Sequence, residues 1–142
     1  FLNEIKSMVG NLEQVVKRQP NYGASYLTMS GALNLYLLAE GKDGSFIKIN
    51  KDSYDKEIWD KSYAYANKAI EINSRNPLNF NVLSQLYMIK GDMDNSYLYA
   101  KKYIDIAPEY EEAYTFARGL LKIRPNTAFE NYVNEMEQKY LK

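Results

Sequence analysis

PLNFNVLSQLYMIKGDMDNSYLYAKKYIDIAPEY, residues 77–110, is the stretch that decides the fold. Phe80, Leu83, Ser84 and Tyr87 fall at i, i+3, i+4 and i+7, which puts them on one face of a helix. Gly91-Asp92 interrupts that pattern, because a positive φ is cheap only for glycine. Ser96, Ala100 and Tyr103 then share a face of a second helix, leading through Ile104 and Ile106 to Pro108. The small residues let the two helix backbones approach, and the large ones fill the space beside them. Pro77 and Pro108 each stand where a helix begins, since proline is tolerated only in the first turn. The stretch is one complete helical hairpin, and Ala100 is expected to be buried where its two helices touch.

The same phase extends in both directions. After Pro108, Glu111-Glu112-Ala113-Tyr114 opens another first helix with Tyr114, Ala117, Arg118 and Leu121 in register. Glu109, Glu111 and Glu112 suit the positive end of that helix. Its partner follows Arg124-Pro125-Asn126-Thr127 and carries Phe129, Tyr132, Val133, Met136 and Tyr140, without small residues, as a terminal capping element does. Upstream, Pro20-Asn21-Tyr22-Gly23 closes an earlier unit, and Tyr26, Met29, Ser30 and Leu33 repeat the first-helix pattern. That helix runs on through Tyr36 and Leu38. Its partner spans about residues 54–72, with Trp59, Ser62, Tyr63, Ala66, Ala69 and Ile70 inward. Residues 1–18, with Ile5, Met8, Leu12, Val15 and Val16 on the buried face, form the second helix of a truncated leading unit.

The resulting expectation is an all-α chain of about seven helices in one domain. Its units are residues 1–19, 20–75, 76–109 and 110–142. Residues 40–53, EGKDGSFIKINKDS, depart from the pattern as an inserted loop. Asp43-Gly44 favours a tight turn there, and Phe46, Ile47 and Ile49 suit a short extended piece. The loop reads either as a packed cover over the long helices or as a lid or partner contact.

Composition narrows the function. The 18 basic residues balance 18 acidic ones, which argues against a nucleic-acid binder working through a broad basic face. The chain has no cysteine, which removes thiolate chemistry and Cys-ligated zinc and leaves the compartment open. It also has no histidine, the commonest general base and metal ligand. No apolar run reaches the roughly 18–20 residues that span a bilayer. The chain opens on Phe1 within a helical pattern, as expected of an ordered part of a longer protein.

Candidate chemistry is sparse. Asp92-x-Asp94-x-Ser96 begins like a calcium loop, but Tyr97 and Tyr103 stand where the required Gly and bidentate Glu belong. Asp92 and Asp94 read instead as a turn and helix cap. Glu111-Glu112 and the Glu135/Glu137 pair lie on polar helix faces that offer no means of separating two carboxyl pKa values. No phosphate-binding or nucleophile-elbow motif is present. No catalytic, metal-binding or cofactor-binding residue is therefore expected. Of the 14 tyrosines, Tyr26, Tyr87, Tyr103 and Tyr114 take core-facing spacings, whereas Tyr65, Tyr97 and Tyr99 fit that pattern less well and are expected nearer the surface.

The hairpin at 77–110, with its large-small first helix, small-residue second helix and closing proline, resembles the tetratricopeptide repeat (TPR). The resemblance implies antiparallel hairpins stacked as a right-handed solenoid whose first helices line a concave groove for a protein or peptide partner. Carried over by register, that groove presents Leu27, Asn34 and Leu35, then Asn81, Gln85 and Met88, then Thr115 and Lys122, with Glu112 beside them. Asn81 and Gln85 can hydrogen-bond a ligand backbone whatever its sequence, and Met88 adapts to varied side chains. TPRs that clamp the C-terminal carboxylate of chaperones use Lys, Asn and Arg. The matching positions here are Leu27, Gly31, Val82, Glu112 and Phe116, which cannot serve.

IWDKSYAYANKAIEI, residues 58–72, together with the long helix and insertion before it, is similar to TPR-like lipoproteins associated with bacterial TRAP transporters. That similarity implies an extracytoplasmic accessory protein with a small organic ligand under the insertion, near Tyr36, Phe46 or Trp59. A third expectation is a homo-oligomer formed through an exposed terminal face.

Overall fold

The computed structural model describes residues 2–39 and 54–142. The inserted loop at 40–53, including Phe46, Ile47 and Ile49, lies outside the described residues. Seven α-helices and no strands occur among the described residues: α1 (Leu2–Arg18), α2 (Gly23–Ala39), α3 (Lys56–Ile72), α4 (Leu78–Lys90), α5 (Met93–Ile106), α6 (Glu111–Ile123) and α7 (Thr127–Tyr140). Consecutive helices pack on one another throughout, and α2 also packs on α4.

The second helix of each pair starts on a side-chain cap. Asp55 accepts from the Ile58 amide at 3.1 Å, Asp92 from Asn95 at 3.2 Å and Asn126 from Phe129 at 2.9 Å. Each such cap satisfies an amide with no partner inside the helix and contributes about 1 kcal/mol. The first helices α4 and α6 follow turns containing Pro77 and Pro108 and have no side-chain cap. Gly91 closes α4 at φ 81°. Its amide and that of Asp92 return to the Met88 and Tyr87 carbonyls, both at 2.9 Å, and so satisfy the end of the helix.

Small residues set the approach within two hairpins. Ser84 and Ser96 are fully buried, and their hydroxyls donate to each other's backbone carbonyls at 2.7 and 2.9 Å. Ser30 and Ser62 are likewise fully buried, with their hydroxyl oxygens 2.9 Å apart. Ala66 and Ala100 lie one turn further along α3 and α5, both buried. Recurrence also marks the first helices: the Tyr26 hydroxyl donates to Pro20 O at 3.1 Å and that of Tyr114 to Pro108 O at 2.6 Å. Two apolar clusters result, one over α1–α3 and one from α2 through α7, and Leu27 and Ile58 touch both.

Several expectations need correction. On α1 the buried face is Ile5 and Val9, while Met8 and Val15 are exposed. Tyr97, expected nearer the surface, is buried, because α7 covers that side of α5. Its ring centroid lies 4.6 Å from that of Phe129, and its hydroxyl donates to Arg124 O. Tyr65 and Tyr99 are half-buried, and Tyr140 is exposed.

Candidate functional site

The face expected to bind a partner divides into residues the fold uses and residues it leaves available. Leu35 on α2 and Thr115 and Lys122 on α6 are exposed. Leu27, Asn81 and Gln85 are half-buried. Asn34 and Met88 do not present their side chains at the surface, since Asn34 is 0% exposed and Met88 is in the core. For Asn34 the reason is tertiary: α2 packs on α1, α3 and α4 together, so the covered arc extends over the position that one-face periodicity assigns to a groove.

Asn34 is instead the centre of a buried polar network. Its Nδ2 donates to Val82 O and to Gln85 Oε1, each at 3.1 Å. Its Oδ1 lies 2.7 Å from the Ser62 hydroxyl, which is itself 2.9 Å from the Ser30 hydroxyl. The network therefore runs from the centre of the α2–α3 hairpin to the half-buried Gln85 on α4. One turn before Gln85, Asn81 has a buried Oδ1 with no hydrogen-bond partner among the described residues. Such an acceptor is costly to leave unmet.

A second region lies where the α4–α5 turn approaches Arg124. Tyr54, Lys90, Gly91, Asp92, Met93, Asp94 and Arg124 line an open cleft of about 490 Å³. Arg124 reaches Asp94 only at 3.8 Å, with both side chains more than half exposed. Lys90 Nζ sits 4.8 Å from the centroid of Trp59. Trp59 itself is buried, with its indole N–H donating to Leu86 O at 2.7 Å and its ring stacked on Tyr63 at 5.2 Å. Tyr36 is also buried. Tyr54, rather than Tyr36 or Trp59, is the aromatic side chain that faces this cleft.

Two tyrosine hydroxyls tie successive second helices together. The Tyr65 hydroxyl donates to Glu13 Oε1 at 2.7 Å, reaching α1, and the Tyr132 hydroxyl donates to Asp105 on α5. Lys61 also meets Glu13 at 2.7 Å, and its hydrogen bond, followed by that of Tyr65, holds the Glu13 carboxyl below its ordinary value. Burial, reinforced by the neighbouring carboxylate, pushes the Tyr65 and Tyr132 hydroxyls up, so both stay protonated donors.

Among the described residues no cluster of three or more acidic side chains is placed to hold a metal ion, and no helix is long and apolar enough to cross a membrane. The sequence reading missed the Ser30–Ser62–Asn34 network, because it weighed the two serines only as small residues. The signal it had was Asn34 itself, a polar residue within the apolar run LNLYLL. No family model, curated protein or solved structure matches this chain.

Proposed function

We propose that this chain is a non-catalytic interaction module, a TPR-like solenoid that holds a partner protein segment along the face shared by α2, α4 and α6. The observation that carries the reading is the pair Asn81 and Gln85 on α4. Both are half-buried, they stand one helical turn apart, and each has amide hydrogen-bonding capacity that the described residues do not use. Groups of this kind suit main-chain recognition, in which affinity does not depend on partner sequence. Leu35 on α2 and Thr115 and Lys122 on α6 are exposed and would add apolar, hydroxyl and cationic contacts to that face.

Selection of binders from a random peptide library, followed by NMR mapping on the intact chain, tests the proposal. Selected peptides should perturb α2, α4 and α6 resonances. Asn81→Ala with Gln85→Ala should weaken them by about tenfold or more, two hydrogen bonds contributing about 1 kcal/mol each, with helicity unchanged. Full affinity in the double variant would sink the groove assignment. The cleft at Tyr54 supports a second reading, an accessory protein for a small organic ligand, since it offers an aromatic ring beside both charge signs. Perturbations confined to Tyr54, Lys90 and Arg124 would favour that reading instead.

A further inference from the structure

Amide side chains can present either end to a ligand, so a groove built on Asn and Gln has a polarity that must be set by something else. Here the setting begins at Val82 O. A backbone carbonyl only accepts, so the Asn34 atom 3.1 Å from it is the amide nitrogen, and the opposite orientation would oppose two acceptors. The other end of Asn34 is then its oxygen, which lies 2.7 Å from the Ser62 hydroxyl, a group also 3.0 Å from the Ser30 carbonyl and 2.9 Å from the Ser30 hydroxyl. The same Asn34 nitrogen donates to Gln85, so the Gln85 atom 3.1 Å away is its oxygen. Gln85 Nε2 has no hydrogen bond to any described residue and is not among the buried unsatisfied atoms, so it reaches solvent. Asn81 also has its Oδ1 buried, but without a hydrogen-bond partner among the described residues, which leaves its Nδ2 as the end for a ligand.

We propose that Asn34 is a positioning residue that locks Gln85 as an outward hydrogen-bond donor, so that this part of the groove takes carbonyl oxygens of an extended peptide backbone. The inference rests on the groove reading above and adds its polarity. Asn81 and Gln85 are separated by four residues of α-helix, about 6 Å along the axis. Carbonyls on the same side of an extended chain recur every second residue, at about 6.6 Å. The near match lets one strand-like segment lie along α4 with successive same-side carbonyls on Asn81 and Gln85. Ser62 and Val82 never touch the ligand and act only through Asn34.

Two measurements test this on the whole chain. The first uses no ligand and follows the NMR order parameter of the Gln85 side-chain amide. It should exceed about 0.6 in the wild type and fall below that in Asn34→Leu, and equal values in the two would overturn the lock. The second uses a library-selected peptide on Gln85→Glu, which keeps an oxygen for Asn34 and replaces the outward donor by an acceptor. Affinity should fall by about tenfold, the loss of one hydrogen bond plus repulsion, with the melting temperature preserved. Wild-type affinity in Gln85→Glu would overturn the polarity while leaving the groove standing. Peptides that map away from α4 would overturn the groove, and the order parameters would still decide the lock. If Asn34→Leu fails to fold, Gln85→Glu still decides the polarity, and a wild-type Gln85 order parameter below about 0.6 would still overturn the lock.

Discussion

The α4–α5 hairpin and the α6–α7 pair hold equivalent places along the chain and close in opposite ways. In α4–α5 the contact is made by Ser84, Ser96 and Ala100, so the backbones approach and the serines bond across the interface. In α6–α7 the same 34-residue spacing puts Arg118 on α6 and Glu130 and Asn134 on α7, and the side chains that α7 buries are Phe129 and Val133 instead. The bulky pair is buried, while Arg118 turns outward to Glu137 at 2.7 Å and Asn134 at 3.2 Å. Closeness is achieved by subtraction in one pair, and separation is filled by addition in the other. Among the described residues α4–α5 packs on helices to both sides, whereas α6–α7 meets α5 on one side only.

That contrast can be broken by moving volume in opposite directions. Phe129→Ala should have the largest effect, a loss of about 3–5 kcal/mol, because removing a buried ring leaves a cavity beside Tyr97. Denaturant unfolding checks it, and a near-neutral result would mean that α7 contributes little to the core. Ala100→Leu should cost about 1–3 kcal/mol by the opposite route, forcing α4 and α5 apart. A neutral response there would remove the idea that small residues set the approach. The smallest effect belongs to Arg118→Ala. Both members of the ion pair remain partly exposed, so the loss should stay within about 1 kcal/mol and shrink further in high salt. A salt-independent loss would show that Arg118 acts through its packing against α7 instead.

The regular hairpin was the most legible part of the sequence, and the reasons are physical. Gly91, Asp92 and the Ser/Ala positions each answer to a local requirement: a positive φ, an unmet amide or a close backbone contact. Local requirements show in local sequence. The α2 helix shows the limit. Its sequence is apolar on nearly every side, so periodicity gives no direction, and its burial against three other helices removed Asn34 from the surface. Tyr97 failed for a related reason, because the α7 residues that cover it stand about thirty positions later. Leu35, Thr115 and Lys122 are exposed among the described residues. Which end of an amide points outward depends on a carbonyl in another helix, and no spacing rule contains that.

The lone tryptophan gives the molecule an internal optical gauge. Trp59 sits at the junction of α3 and α4, with Tyr63 stacked on it, Tyr87 at its edge, and its indole N–H held by Leu86 O. Its emission therefore reads the seam between two consecutive units rather than the interior of either one. Parting of that seam would release the indole to water and shift its emission to the red while the helices themselves stayed intact.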